Sequence, residues 1–212
     1  MGLFDSDLER IVNSMVKEIR NVRINPRTTV VMNLDTTNGY FKNGEMSSVR
    51  LKEIIPEIVG VNEYFLKSMK LFLLDEHDSN SLEFKHFPLH CATTDEKIVI
   101  NELHTFLGDY SSKVIFKNSV NPFSCDEFNK WFQENHPSFV NYVIVGGFTD
   151  IGVMQLALSL RSYFNEKNIE KKHIIVVENA VQTFDSGSHN GDKMHVFALY
   201  NMLLNGINLV KI

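Results

Sequence analysis

The chain has 212 residues, of which 43% are hydrophobic and 22% charged, and its formal net charge is −5 at pH 7. This length and composition suit one globular domain with a sizeable core. Mild acidity without a Lys/Arg-rich segment excludes the surface that binds nucleic acid or an anionic membrane. Two cysteines, Cys91 and Cys125, are too few for a disulfide framework, and we expect a reducing, cytoplasmic setting.

Residues 1–28 are predicted to form a helical extension at the start of the chain. Apolar side chains recur there at the three- and four-residue spacing of an amphipathic helix, namely Leu8, Ile11, Val12, Met15 and Ile19. No repeat, low-complexity tract or linker follows, so residues 1–212 are expected to form a single domain that carries this extension.

Six short apolar runs then predict strands that are buried on both faces. They are Thr29–Leu34, Lys70–Leu74, Val114–Phe116, Tyr142–Val145, His173–Val177 and Asn208–Val210. Helical patterns lie between them, over Pro56–Ser68, Glu96–Phe106, Cys125–Glu134, Val153–Asn165 and Lys193–Leu204. This alternation predicts an α/β fold: a three-layer, Rossmann-like arrangement in which helices cover both faces of a mainly parallel six-stranded sheet.

Ionisable residues end three of the predicted strands. Asp35, Asp75 and Lys117 follow the first, second and third strands, and Gly146-Gly147 ends the fourth. An isolated Asp at such a position is ordinarily a turn former, and an isolated Lys is ordinarily solvated. Because ligands of parallel sheets bind beyond the carboxyl ends of the strands, four such ends together favour a site.

The end of the second strand carries a candidate metal site. Asp75 and His77 point to the same side of an extended backbone, and His90 follows in the segment Phe87–Cys91. One carboxylate and two imidazoles suit zinc, iron or manganese, and three protein ligands leave positions open for water or substrate. The alternative is that these side chains are only hydrogen bonded within a polar loop.

Five segments, in this order, resemble motifs of the isochorismatase-like family and its nicotinamidase-like cysteine hydrolases. They are Asp35–Phe41, Asp75–His77 with Glu83–Phe84 and Phe87–Cys91, Lys117 with Phe123, Gly146–Val153, and Glu178–Val181. Each motif alone is weak, but their order and spacing together identify the resemblance. It extends from Thr29 to the last residue of the sequence.

The resemblance implies a role for each matching position. Asp35 would act as acid and base, Lys117 would position or polarise the reacting groups, and Asp75, His77 and His90 would hold a divalent metal ion, zinc or alternatively iron or manganese. In nicotinamidases this metal binds the substrate and does not activate the nucleophile.

The substrate pocket and oxyanion hole would be formed around the turn after the fourth strand. The residues that the resemblance places there are Gly147, Phe148, Ile151 and Phe41. It also implies a cis peptide between Gly147 and Phe148.

Position 152 departs from the resembling amidases, which have a nucleophilic cysteine there. Gly152 has no side chain, so no thioester can form at this position. A glycine inside a helix costs about 1 kcal/mol relative to alanine, so helix preference does not explain it. Cys91 and Cys125 lie outside this strand–turn–helix segment, and packing is the expected role of each.

Three functions are compatible with these residues. The first is hydrolysis without a thiol, as in isochorismatases, with Asp35 as a general acid and Lys117 beside an anionic small-molecule substrate. The second is a catalytically silent relative of the nicotinamidases that binds a small ligand or a partner. The third is an interaction protein, since the 8 Met and 16 Phe residues could supply a homo-oligomer contact as well as a core.

Overall fold

The computed structural model describes residues 3–108 and 111–212. In this part of the chain seven strands form one sheet, and every neighbouring pair is parallel. The strands are β1 Lys17–Glu18, β2 Thr29–Leu34, β3 Met69–Asp75, β4 Ser112–Lys117, β5 Asn141–Gly147, β6 His173–Gln182 and β7 Asn208–Lys211. The predicted α/β class with a parallel sheet between helices is confirmed.

The helices occupy both faces of this sheet. They are α1 Leu3–Met15, α2 Asn38–Phe41, α3 Val49–Glu53, α4 Ile55–Tyr64, α5 Asp126–Asn135, α6 Met154–Glu166 and α7 Gly191–Leu204. Short 3-10 segments and one π-helical turn, Thr149–Val153, connect them to the strands. None of the described helices is long and apolar enough to cross a membrane.

The order of the strands in the sheet is β1-β7-β6-β5-β2-β3-β4. From the central strand β2 the chain first builds outward through β3 and β4, and then returns to build the other half from β5. The order therefore reverses between β2 and β5, where the loops that leave two neighbouring strands diverge and open a crevice.

The sheet has one strand more than the six predicted. The additional strand, β1, has only two residues, Lys17 and Glu18, which pair with Val210 and Lys211 of β7. Neither residue is apolar, so no hydrophobic run could indicate a strand at this position.

The predicted helix Glu96–Phe106 is also wrong, because only a 3-10 segment, Asn101–Phe106, forms there. The carbonyl groups of Glu96 and Ile98 instead accept the backbone N–H groups of Gly39 and Asn38, at 3.0 and 2.9 Å. Tertiary hydrogen bonds thus occupy the acceptors that the first turn of a helix requires.

The resembling segment Glu178–Val181 lies within strand β6 and not after it. The pairing of β5 with β6 shifts register between Ile144 and Gly146, and β6 then continues to Gln182. Because Glu178 and Asn179 interrupt the apolar run, the sequence did not predict that the strand continues through this segment.

The alternating side chains of β2 enter two separate apolar layers. Val30, Met32 and Leu34 pack on one face of the sheet, and Val31 packs on the other. The remaining residue, Asn33, is fully buried on the same face as Val31.

A reciprocal amide pair compensates for the burial of Asn33. Its Nδ2 donates to Asn62 Oδ1 at 3.1 Å, and Asn62 Nδ2 donates to Asn33 Oδ1 at 2.8 Å and to Ile58 O at 2.9 Å. Both side chains are completely excluded from solvent. The pair therefore ties α4 to the central strand, since an unpaired buried amide is costly.

We expect Asn62→Leu to lower the free energy of unfolding by about 2 kcal/mol, because it leaves the Asn33 amide buried without a partner. Urea denaturation measures this change, and Asn205→Leu, at the exposed residue that follows α7, is the control. The double variant Asn33→Leu with Asn62→Leu should recover part of the loss. An Asn62→Leu variant as stable as the wild type would contradict this account of the pair.

Candidate functional site

Three charged side chains meet at the carboxyl ends of β2, β3 and β4. Asp75 and Lys117 are paired residues at the ends of β3 and β4. Asp35 directly follows β2, and its positive φ of 54° turns the chain away from the strand. Its N–H donates to Leu73 O at 2.8 Å, and its Oδ1 accepts the N–H of Asp75 at 3.0 Å. The sheet therefore holds both carboxylates side by side.

Lys117 lies between these two carboxylates. Its Nζ is 3.0 Å from Asp35 Oδ1 and 3.1 Å from Asp35 Oδ2, and it also donates to Asp75 Oδ1. All three residues are at most 4% exposed. Buried charges of this kind are tolerated only when they are paired.

This arrangement separates the acidities of the two carboxyl groups. Burial, and then repulsion from Asp75, raise the pKa of Asp35 to about 8 despite the opposing effect of Lys117. Burial also acts to raise the pKa of Asp75, but the charge of Lys117 and the hydrogen bonds from Lys117 and Tyr40 outweigh it and hold that pKa below its usual range. Asp35 is therefore the weaker acid of the two, and Asp75 is the carboxylate that compensates the charge of Lys117.

The structure also brings Asp75, His77 and His90 together. One ligand atom from each lies within 4.8 Å of the others. His90 Nδ1 donates to Pro88 O at 2.6 Å, and His77 Nδ1 is 2.6 Å from Asn118 Oδ1, so the Nε2 atoms are left as acceptors. His77 Nε2 is buried without a hydrogen-bond partner. Such outer hydrogen bonds orient imidazoles toward metals, and these residues fit a divalent ion.

Glu83 is a fourth member of this cluster to which the sequence analysis gave no role. Its Oε2 is 3.7 Å from the Nε2 atoms of both His77 and His90, and it is buried without a hydrogen-bond partner. Its Oε1 accepts the N–H of Val120 at 2.8 Å. The available signal was the position of this carboxylate between the two histidines in the resembling segment.

Tyr40 is a second residue that the sequence analysis missed. Its hydroxyl donates to Asp75 Oδ2 at 2.5 Å, and burial first, then the charge of Asp75, raise its pKa well above 10.0. Tyr40 thus stays a donor and lines the cavity of the site. The predicted neighbour, Phe41, is fully buried in the core and does not line it. The residue of the short helix α2 that faces the cavity is therefore Tyr40, and the prediction of Phe41 is off by one position.

A small cavity connects these groups with the turn that follows β5. Its lining residues are Asp35, Tyr40, Met46, Asp75, Glu83, Phe87, His90, Val120, Phe148, Ile151 and Gly152. The space open to the centre of a water molecule is about 20 Å³, which is enough for a single water. Of the predicted site residues, His77, Gly147, Phe41 and Lys117 lie outside the lining.

Lys117 therefore cannot take the predicted place beside an anionic substrate. Its Nζ is enclosed by Asp35 and Asp75, and the side chain is only 1% exposed. The sequence predicted the correct strand end for Lys117. It could not show that the ammonium group is already paired with the carboxyl groups of Asp35 and Asp75.

The turn after β5 places Gly152 against Asp35. A Cβ atom at position 152 would lie 3.4 Å from Asp35 Oδ2 and 3.1 Å from Leu34 Cδ2. A side chain at this position would thus point at the carboxyl group, with the end of the Leu34 side chain giving way slightly. The absence of that side chain leaves space beside Asp35.

The backbone of this turn has the cis Gly147–Phe148 peptide that the resemblance implied. A side chain on Gly147 would come within 3.0 Å of Leu51, so only glycine fits there without displacing Leu51. The N–H groups of Ile151 and Val153 both donate to Phe148 O at 3.1 Å. These two donors are therefore engaged within the turn and do not face a ligand.

Neither cysteine lines the cavity. Cys91 is fully buried, its Sγ lies 3.5 Å from Thr37 Oγ1, and burial raises the pKa of its thiol to about 12. Cys125 Sγ donates to Phe116 O at 3.4 Å. Neither thiol is placed to substitute for a side chain at position 152.

No protein-family model matches the sequence, and no curated protein matches it significantly. Solved structures do resemble it in three dimensions. A pyrazinamidase/nicotinamidase from Streptococcus mutans has 20% identity and a TM-score of 0.71 over 85% of this chain and 99% of its own.

Two further solved structures have a similar fold to this chain. A pyrazinamidase of Pyrococcus horikoshii in complex with zinc has 17% identity and a TM-score of 0.69 over 87% of this chain and 99% of its own. An isochorismatase-like hydrolase from Alkaliphilus metalliredigens has 16% identity and a TM-score of 0.66 over 87% and 94%. The chain therefore has the α/β fold shared by nicotinamidases and isochorismatase-like hydrolases.

Proposed function

We propose that this chain is an isochorismatase-like protein that hydrolyses an acid-labile small molecule without a cysteine nucleophile. The observation that carries this proposal is the space at Gly152, where a Cβ atom would lie 3.4 Å from Asp35 Oδ2. A carboxyl group thus faces an opening where the resembling amidases would have a thiol. The substrate is a small molecule, since the groups concerned converge on an enclosed cavity.

Asp35 acts as the general acid in this proposal. It donates its proton to a substrate atom, as in the protonation of a vinyl ether at carbon, which generates an oxocarbenium ion. Water then adds to the cation, and its released proton returns to the Asp35 carboxylate. The resulting hemiacetal or hemiketal breaks its bond to the original ether oxygen, which takes up a proton and leaves as an alcohol, while the remaining hydroxyl group loses a proton and becomes the carbonyl group of the product. Lys117, within 3.1 Å of both Asp35 oxygens, stabilises that carboxylate between the two proton transfers.

A divalent metal ion is part of the proposed site. Asp75, His77 and His90 would hold it, and the buried Oε2 of Glu83 provides a further oxygen nearby. The nitrogen and oxygen donors suit zinc, and also iron or manganese. When bound, such an ion supplies Lewis acidity toward a donor atom of the substrate.

The second candidate function is a silent binding protein of the same fold. It is favoured by the small cavity, which has room for about one water molecule. The engaged N–H groups of Ile151 and Val153 cannot stabilise an oxyanion, which argues against amide hydrolysis by this chain. In this case the pocket holds a ligand and no product forms.

A product assay separates the two functions. Zinc-loaded protein is incubated with neutral vinyl ethers and, separately, with nicotinamide, and products are identified by mass spectrometry. We expect a carbonyl compound from a vinyl ether, a rate lower by about 100-fold in Asp35→Asn, and no nicotinate. Asp78→Asn, a change to an exposed carboxylate, is the control. Nicotinate formed at ordinary enzymatic rates would refute the proposal, and no product from any substrate would favour the silent protein.

We expect His77→Ala to remove stoichiometric metal from protein purified without chelator, because it deletes one of three convergent ligands. Elemental analysis by inductively coupled plasma mass spectrometry gives the metal content per chain. His86→Ala is the matched control, since His86 is an exposed imidazole in the same loop. Equal metal content in the two variants would show that the cluster is not a metal site.

We expect Gly152→Cys to create a thiol that iodoacetamide labels in the folded protein. The new side chain would point toward Asp35 and line the cavity. A Cys125→Ser background removes the more accessible native thiol, and Gly152→Ala shows whether the added Cβ alone disturbs the fold. Peptide mapping locates the label; an unlabelled position 152 in correctly folded protein would mean that the cavity is closed to small molecules.

A further inference from the structure

We propose that residues 183–190 form a lid over the site, and that one proton shared by His189 and Asp150 holds this lid closed. The lid is the segment that connects β6 to α7. Opening it releases the proton, so that access to the pocket increases as the pH rises. The inference goes beyond the proposed function, because a reactive pocket and a silent one need the same access.

The pocket in its present form admits nothing larger than water. The inner cavity beside Asp35 and Gly152 has room for about one water molecule. An outer cavity of about 350 Å³, within the size range of small-molecule pockets, adjoins it and shares Met46 and Phe87 with it. A wall of these cavities must therefore move before a ligand can reach Asp35.

The lid forms one wall of the outer cavity. Residues 184–186 line this cavity together with residues 45–47 and 86–88. The ring of Phe184 also packs edge to face on Phe148, which lines the inner cavity, with ring centroids 5.1 Å apart. Movement of the lid would thus uncover the Phe148 side of the inner cavity.

His189 ties the lid to the turn after β5. Residues 185–188 are exposed, and Ser186 and His189 exchange backbone hydrogen bonds at 3.0 and 2.6 Å, which makes this part of the lid a tight turn. The imidazole of His189 stacks on the ring of Phe184, with centroids 4.2 Å apart. Its Nε2 lies 2.7 Å from Asp150 Oδ2 in the turn after β5.

Both ring nitrogens of His189 face hydrogen-bond acceptors. Nδ1 lies 2.9 Å from Phe184 O, and Nε2 lies 2.7 Å from the Asp150 carboxyl group. A neutral imidazole has a single N–H, so it satisfies only one of these contacts while Asp150 is ionised. The other nitrogen then directs a lone pair at an oxygen atom. Both contacts form only when the pair carries one further proton, on the imidazole or on the carboxyl group.

The burial of Asp150 increases the effect of this proton. Its side chain is only 4% exposed, and its Oδ1 is buried without a hydrogen-bond partner. An uncompensated carboxylate in such a position is costly. The proton removes this cost, because it either creates an imidazolium beside the carboxylate or neutralises the carboxyl group. It therefore stabilises the closed lid.

A second carboxylate, that of Asp185 in the lid itself, also favours the protonated imidazole. The hydrogen bond from Gly191 N–H, the charge of Arg50 and that of His189 lower the pKa of Asp185, so it is an anion at neutral pH. Arg50 is paired with Asp185 at 3.3 Å and with Asp192 at 2.6 Å. The other titratable groups that line the outer cavity are Glu45 and His86.

The proton gives the lid its pH dependence. In water, imidazoles are mostly neutral above about pH 6.5 and carboxyl groups are ionised. Opening the lid in this range therefore releases the proton, and a rise in pH shifts the equilibrium toward the open lid. Linkage through one proton changes the ratio of open to closed lid by at most about 10-fold per pH unit.

Amide hydrogen exchange on the full chain, with zinc present, measures the opening of the lid. The reporters are the N–H groups of Ser186, His189 and Gly191, which are hydrogen bonded within the closed lid. Exchange is followed by mass spectrometry from pH 6 to pH 9 and corrected for the intrinsic rates, which gives protection factors. We expect the protection factors of the lid to fall at least 10-fold more over this range than those of β5.

Two variants show whether the named pair causes this fall. His189→Gln lacks the titratable group and should abolish the difference between the lid and β5. His86→Gln removes an exposed imidazole that lines the same outer cavity, and it should retain the difference. Thermal unfolding confirms that each variant is folded. The proposal is overturned if the lid and β5 change in parallel in the wild type, or if His189→Gln keeps the fall.

Labelling of a thiol in the pocket tests whether the lid controls access. The reporter is Gly152→Cys in the Cys125→Ser background, labelled with iodoacetamide at one fixed pH. Adding His189→Phe keeps a ring against Phe184 but removes both hydrogen bonds, and it should raise the labelling rate at least 5-fold. Adding His86→Gln should leave the rate unchanged. Equal rates with and without His189→Phe, or no labelling in either folded protein, would overturn the proposed control of access.

Discussion

The arrangement of the site depends on one buried ammonium group. Lys117 can be enclosed at the end of β4 only because carboxylates from two neighbouring strand ends, Asp35 and Asp75, lie against it. Removing Asp75 would leave the Lys117 ammonium buried without its carboxylate, and an uncompensated buried charge is among the most destabilising changes that a core can undergo. The same grouping shifts the pKa values of the two carboxyl groups in opposite directions. A structural requirement for charge compensation thereby generates the chemical asymmetry that an acid catalyst needs.

The reversal of strand order between β2 and β5 joins two unlike halves of the site. The half beyond β2, β3 and β4 is polar and holds Asp35, the proposed acid, and the candidate metal ligands. The half formed by the turn after β5 and by α2 is aromatic, through Phe148 and Tyr40. Tyr40 connects them, because its ring packs on Phe148 while its hydroxyl reaches Asp75. In the proposed function the substrate would thus bind against the aromatic side of the crevice and react on its polar side.

The hydrophobic pattern of the sequence predicted the strands and the residues at their ends. It predicted little of the conformation of the loops between them. Asp35, Asp75 and Lys117 could be assigned to one edge because residues that end parallel strands must meet there. Which of Tyr40 and Phe41 faces the cavity depends on the rotation of a four-residue helix, for which the sequence has no periodic signal. Glu83 was missed because its approach to two imidazoles depends on the path of a 3-10 segment. Burial of Lys117 was missed because charge pairing is a tertiary property.

The pairing of β1 with β7 has a consequence for the order in which the strands of the sheet can pair during folding. The two strands are separated by almost the whole length of the chain, yet they lie side by side at one edge of the sheet. During synthesis β1 emerges before β2, and its partner β7 emerges after the other six strands of the described residues. The extension must therefore wait in an unpaired state while the sheet assembles, and its attachment completes the edge. Until then the outer edge of β7 is open to pairing with another chain, and this two-residue strand covers it at Val210 and Lys211.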